Sequence, residues 1–173
     1  MKKLISLSLI IASSYLLSCQ KEAFDEKSMN NENLVASNAK VEKALPFKGT
    51  YTTSSEILQP APFLQTRITG LGQASHLGKS SFVALSTLNL TTAPPFRLGG
   101  TATFTAANAD EFYTTFIGTA TPNGQGALNV SMSHTITGGT GRFKNATGSF
   151  EGYTVAVPGH SEASIDNVGT ISY

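Results

Sequence analysis

Alternation of apolar and polar residues dominates the chain from Pro46 to Tyr173. The clearest run is Leu128–Thr137, where small polar residues separate Leu128, Val130, Met132, His134 and Ile136. A period of two residues is typical of a β-strand that buries one face and exposes the other. No apolar stripe of helical period and useful length interrupts this pattern. The sequence therefore predicts an all-β domain.

Eight strands are predicted, and clusters of Gly, Pro and Asn separate them. Connections this short make neighbouring strands antiparallel. Eight antiparallel strands close economically into an up-and-down barrel, in which no strand edge is left exposed. An open two-sheet sandwich is the alternative. In the barrel, the first predicted strand pairs with the last. The predicted strands are Phe47–Ser54, Phe63–Leu71, Ser80–Leu90, Thr101–Ala106, Phe112–Ala120, Leu128–Thr137, Ser149–Val157 and Glu162–Tyr173.

The N-terminus has a different character. Two lysines follow Met1, and a mostly apolar run then leads to Leu16-Leu17-Ser18-Cys19. These are the features of a secretory signal peptide, and the run is shorter than the roughly 20 apolar residues that span a bilayer. Leu16-Leu17-Ser18-Cys19 resembles the lipobox of bacterial lipoproteins. The resemblance implies cleavage before Cys19 and acylation of Cys19, whereas an ordinary signal peptide with an incidental cysteine is the alternative.

Three segments follow from these patterns. Residues 1–18 are the predicted signal peptide, and residues 19–45 are a lipidated N-terminus and a flexible tether, too polar to bury a core of their own. Residues 46–173 are the predicted barrel. Gln20-Lys21-Glu22 is similar to export signals of surface lipoproteins. We expect the acyl chains on Cys19 to anchor the protein in the cell envelope, at the periplasmic or surface face of the outer membrane.

Composition narrows the possible functions. The formal net charge is +1 and charged residues make up 13% of the chain, so no basic surface for nucleic acid is predicted. Cys19 is the single cysteine, and its acylation would leave no thiol for a disulfide or for zinc. The three histidines lack metal-ligand spacing. No metal and no cofactor is predicted, and the sequence does not indicate an oligomeric state.

Few residues carry candidate chemistry. His134 lies on the apolar face of the clearest strand, where it would contact a ligand or move a proton, or would be a core histidine bonded to a neighbouring Thr or Tyr. His76 is expected to bond the backbone at a strand corner. Asp110 and Glu111 are expected to serve solubility in a loop. The glycine run Gly138–Gly141 lacks the Lys-Ser/Thr pair of a phosphate-binding loop, and it is interpreted as a turn.

A resemblance rests on three stretches, Gly72–Lys79, Ile136–Phe150 and Gly169–Tyr173. Together they resemble a group of small bacterial secreted proteins. The Gly-Gly-Thr-Gly-x-Phe element is also similar to the glycine turn of the allene oxide cyclase and dirigent superfamily. The resemblance implies a calycin-like eight-stranded barrel with an apolar interior. The catalytic residues of the plant enzymes have no counterparts that can be placed here, so no reaction is carried over.

Three functions are compatible with these patterns. A lipid-tethered barrel would enclose a small apolar ligand, with His134 as the polar contact. A filled barrel would instead serve as a structural or adhesion module. A cofactor-free cyclase or isomerase would use His134 as an acid or base. The residues expected to line the ligand site are Phe104, Phe116, Met132 and His134.

Overall fold

A computed structural model describes residues 43–173, which form an eight-stranded antiparallel barrel. The predicted signal peptide, Cys19 and nearly all of the predicted tether lie outside these residues. None of the described elements is a helix long and apolar enough to cross a bilayer. The strands are β1 Leu45–Gln59, β2 Phe63–Ala74, β3 Gly78–Asn89, β4 Phe96–Thr105, β5 Glu111–Pro122, β6 Leu128–Gly139, β7 Thr147–Ala156 and β8 Glu162–Ser172.

The sheet is closed. Each strand pairs with its neighbour in sequence, and β1 pairs antiparallel with β8, so that Leu45 lies opposite Ile171 and Ser54 lies opposite Glu162. The predicted up-and-down barrel is therefore confirmed, and the open sandwich is not formed. Closure pairs the backbone groups that an edge strand would leave exposed.

Side chains alternate between the interior and the outer surface as the sequence predicts. On β6, Met132, His134 and Ile136 are buried, whereas the serines and threonines between them are exposed. On β5, Phe112 and Phe116 are buried, whereas Ile117 is 74% exposed. The sequence pattern thus places each inward residue correctly on these two strands.

Aromatic rings fill one half of the interior. Phe104 stacks on Phe112 with ring centroids 4.8 Å apart, and Phe150 meets Phe47 at the same separation of 4.8 Å. Full burial of a phenylalanine contributes about 1.5–3 kcal/mol. This cluster of rings is therefore a large part of what holds the barrel together.

The end of the barrel next to these rings is closed by the glycine turn. After β6 the chain makes a short 3₁₀ turn, Gly141–Phe143, that carries the fully buried ring of Phe143. Gly141 has a φ of 51°, and a Cβ at this position would overlap the carboxylate of Asp110. Phe143, Ala146 and Phe150 are all buried where the chain turns back into the sheet.

Several details differ from the predictions. β4 begins at Phe96 rather than Thr101, and β1 extends to Gln59 through a register irregularity after Ile57. Asp110 has a structural role in addition to any effect on solubility. Its Oδ2 accepts a hydrogen bond from the Arg142 backbone N–H at 3.3 Å and lies 3.8 Å from Arg142 Nε.

Candidate functional site

The two ends of the barrel interior are packed differently. At the end where the β1–β2, β3–β4, β5–β6 and β7–β8 loops lie, which we call the open end, most large inward-facing apolar side chains are only partly buried, whereas the small side chain of Ala120 is 1% exposed. We call these partly buried residues the barrel mouth. They include Leu64, Ile68, Leu88, Leu98, Leu128 and Val130. In the opposite half, the inward-facing aromatic residues are buried.

The residues predicted for the site lie together in the interior. His134, Phe104, Phe116 and Met132 are all buried. The imidazole of His134 lies between two phenyl rings, stacked on Phe150 at 4.5 Å and tilted against Phe116 at 4.9 Å between centroids. Phe104 meets the imidazole edge-on at 6.3 Å. These rings hold the orientation of His134.

Thr114 is the hydrogen-bond partner of the His134 imidazole. His134 Nδ1 lies 3.1 Å from Thr114 Oγ1, which also lies 3.5 Å from the carbonyl oxygen of Ala102. The neutral imidazole carries one proton, on Nδ1 when the Thr114 hydroxyl donates to Ala102 and on Nε2 when the hydroxyl donates to Nδ1. Within residues 43–173, His134 Nε2 is buried and has no hydrogen-bond partner.

Burial keeps the imidazole neutral. His134 is 4% exposed, and desolvation of the charged form lowers its pKa from 6.5 to about 4. At neutral pH the side chain therefore accepts or donates hydrogen bonds as an uncharged group.

Two further buried polar side chains are unpaired on the neighbouring strands. Asn167 on β8 is 2% exposed, and neither Oδ1 nor Nδ2 has a partner among the described residues. The Oγ1 of Thr154 on β7, opposite Val130, is also buried without a partner in that part of the chain. We call His134, Thr154 and Asn167 the interior polar cluster. An unpaired buried polar group costs about 1–3 kcal/mol, so three on adjacent strands are unusual.

Gly152 lies at the centre of this cluster. In the sheet it pairs with Met132 on β6 and with Asn167 on β8. A Cβ at Gly152 would lie 3.0 Å from Asn167 Oδ1 and 3.5 Å from His134 Nε2. The missing side chain therefore brings the backbone close to both polar groups.

Sequence reasoning named His134 but missed Asn167, Thr154 and Gly152. The signal for Asn167 was present, because it continues the inward series of β8 between Ile165 and Ile171. Its position beside His134 depends on the register of β6, β7 and β8 together, which the alternation within one strand does not specify.

The remaining charged and histidine side chains belong to the closed end or to the surface. His76 Nε2 bonds the carbonyl of Pro46 at 3.0 Å at the β2–β3 corner, in agreement with the prediction for His76. Arg142 donates to the His76 carbonyl at 2.6 Å. Arg67 forms a surface ion pair with Glu56 at 3.4 Å, and His160 is exposed.

A shallow depression of about 690 Å³ lies on the outer face of β5 to β8. Outward-facing side chains form much of its lining, among them Thr119, Ser131, Tyr153 and Asp166. Its lining also includes Thr154 of the interior polar cluster and Val130 of the barrel mouth, but it brings together no group of metal-ligating side chains. Within residues 43–173, no three such side chains converge anywhere.

The fold and the site together define a closed eight-stranded antiparallel barrel with one filled end, one open apolar end and a polar cluster inside. Comparison of the chain with protein-family models, with curated proteins and with solved structures finds no match in any of the three.

Proposed function

We propose that this is a lipid-anchored protein of the bacterial cell envelope whose barrel binds a small apolar ligand through the mouth. The partial exposure of the inward-facing leucine, isoleucine and valine side chains at one end supports binding. An eight-stranded barrel has an interior that either fills with side chains or holds one small ligand. This barrel is filled in one half and leaves apolar surface accessible in the other.

Small inward-facing residues at the level of the mouth favour an enclosed ligand. Thr66, Ser86 and Ala163 face inward at this level, and they are smaller than the rings of the filled half. Ligand sites are typically concave and apolar, with a few placed polar groups. The mouth supplies the apolar wall, and the interior polar cluster supplies the polar groups.

The anchor is proposed from the sequence. Leu16-Leu17-Ser18-Cys19 supports acylation of Cys19, and two or more acyl chains give lasting membrane attachment. A barrel tethered at a membrane lies next to a source of apolar molecules. The glycine turn supports, in the same way, a proposed relationship to the allene oxide cyclase and dirigent-like barrels.

Binding is tested with the apolar fluorescent probe N-phenyl-1-naphthylamine. Leu98 faces the mouth, so Leu98→Gln should weaken probe binding at least about fivefold by placing an amide in the apolar wall. The matched control is Leu85→Gln on the neighbouring strand β3, because Leu85 faces outward and is 49% exposed. The control should bind the probe like the unmodified protein.

A filled structural module gives a different result. In that case the unmodified protein does not bind the probe, or Leu98→Gln and Leu85→Gln change binding equally. Either outcome contradicts a ligand site in the mouth. Circular dichroism of each variant confirms that the barrel is folded before the affinities are compared.

A further inference from the structure

The interior polar cluster presents hydrogen-bonding atoms that the protein's own side chains leave unpaired. Nε2 of His134 and both amide atoms of Asn167 are buried and have no partner within residues 43–173. Buried polar groups in folded proteins are normally satisfied, by protein atoms, by water or by a bound molecule. The cluster therefore points to an occupant.

Resting on the proposed ligand-binding function, we propose that the ligand is an uncharged amphiphile with a hydroxyl head group, of the class of a long-chain alcohol. Its hydroxyl binds between His134 and Asn167 beside Gly152. Its apolar chain extends past Val130 to the mouth.

The distances around Gly152 fit one oxygen atom. A Cβ there would lie 3.0 Å from Asn167 Oδ1 and 3.5 Å from His134 Nε2, so these two atoms flank Gly152 at a separation that one bridging oxygen can span. Met132 Cε lies 3.3 Å from the same point, and its flexible side chain adapts to a guest.

A hydroxyl matches the hydrogen-bonding groups of the cluster. Asn167 Oδ1, the amide atom that faces the site, accepts the hydroxyl proton, and the His134 Nε2–H of the matching tautomer donates to the hydroxyl oxygen. A carboxylate has no proton to give Asn167 Oδ1. Its charge would also lie among apolar neighbours, since Met132, Phe150 and Ile165 face this region.

The register gives the direction of the bound chain. On β7, Thr154 lies one inward-facing position nearer the open end than Gly152, and it pairs with Val130 on β6. Its hydroxyl oxygen is buried and has no partner within residues 43–173. Beyond Val130 the inward side chains are the apolar residues of the mouth, which suit a hydrocarbon tail.

The test is displacement of N-phenyl-1-naphthylamine by 1-decanol, methyl decyl ether and decanoate. We expect 1-decanol to displace the probe at a concentration at least about tenfold lower than its methyl ether, although the ether is the more apolar compound. We expect decanoate to be weaker than decanol as well. Equal displacement by decanol and the ether would overturn the proposal and would indicate a cluster that holds only water.

Two variants test whether the interior polar cluster causes the preference for decanol over the ether. Asn167→Leu should keep probe binding but abolish this preference, so that decanol and the ether displace the probe at about the same concentration. Gly152→Ala fills the space for the oxygen and should have the same effect. Asn129→Leu, on the exposed face of β6, is the matched control and should keep the preference. A preference that survives both interior substitutions also overturns the proposal.

The proposed function and the head-group assignment are contradicted by different results. Absence of probe binding by the unmodified protein contradicts the proposed function itself. Probe binding without a preference for the alcohol contradicts only the head-group assignment. If one interior variant does not fold, the other variant and the ligand series on the unmodified protein still decide the question.

Discussion

At the scale of single residues, His134 is a titratable group in an apolar environment. Its contacts are the rings of Phe104, Phe116 and Phe150 and the hydroxyl of Thr114, none of which is charged. No nearby charge therefore compensates the desolvation of the imidazolium, and the pKa falls to about 4. Between pH 4 and pH 6.5, His134 is therefore unprotonated in the folded state and protonated in the unfolded chain.

This difference predicts a loss of stability in acid. Between pH 6.5 and pH 4 the unfolded chain protonates His134 and the folded barrel does not, so the free energy of unfolding falls as the pH falls. From pH 7 to pH 4 the contribution of this group amounts to about 3 kcal/mol. The His134→Leu variant should lose less free energy of unfolding between pH 7 and pH 4, and the difference from the unmodified protein should equal that amount. Urea unfolding at each pH measures it.

His160→Leu is the control for the acid experiment. His160 is exposed in the β7–β8 loop, so its removal takes away a histidine without altering the barrel interior. This variant should lose stability in acid as the unmodified protein does. If His134→Leu also follows the unmodified protein, His134 is protonated in the folded state over this pH range and its assignment as a neutral group is wrong.

At the scale of elements, the glycine turn after β6 closes the filled end. Gly141 combines a φ of 51° with close contact to the Asp110 carboxylate. Gly141→Ala should therefore lower the free energy of unfolding by about 2–4 kcal/mol, since it adds both backbone strain and a steric overlap. Thermal and denaturant unfolding measure the change.

Substitutions of two glycines in the β5–β6 loop distinguish the effect of backbone strain from the effect of steric overlap. Gly126 has a φ of 79° but has open space around its Cβ position, so Gly126→Ala adds only the backbone strain, about 1 kcal/mol. Gly124 has open space and no left-handed φ, so Gly124→Ala should be nearly neutral. The account of the turn is contradicted if Gly141→Ala costs no more than Gly126→Ala.

The elements also show how far the sequence predicts the fold. Alternation was sufficient for β6 and β5, because each has one apolar face and few glycines. The first half of β4 was missed, since Gly99 and Gly100 have low strand propensity and interrupt the alternation. Their strand conformation comes from pairing with β3 and β5 on both sides.

The candidate site was only partly predictable for a related reason. His134 was found because its own strand places it inward. The polar cluster was not found, because Asn167 and Gly152 meet His134 only through the register of three strands. Register between strands depends on turn geometry and on packing across the barrel, and neither is contained in one strand's pattern.

At the scale of the whole molecule, the barrel is asymmetric along its axis. One end is closed by Phe143, Tyr173 and the His76 corner, with the Tyr173 hydroxyl 3.3 Å from His76 Nδ1. The other end exposes apolar side chains of the interior. The buried aromatic rings that stabilise the barrel are therefore concentrated in its filled half.

Native mass spectrometry of the protein purified from bacterial membranes tests ligand binding most directly. We expect a polypeptide that begins at acylated Cys19 and carries a non-covalent adduct, which collisional activation releases as a neutral amphiphile. The adduct should be retained in Leu85→Gln and lost in Leu98→Gln. The ligand-binding proposal is contradicted if the unmodified protein carries no adduct in spectra that preserve other non-covalent complexes from the same membranes.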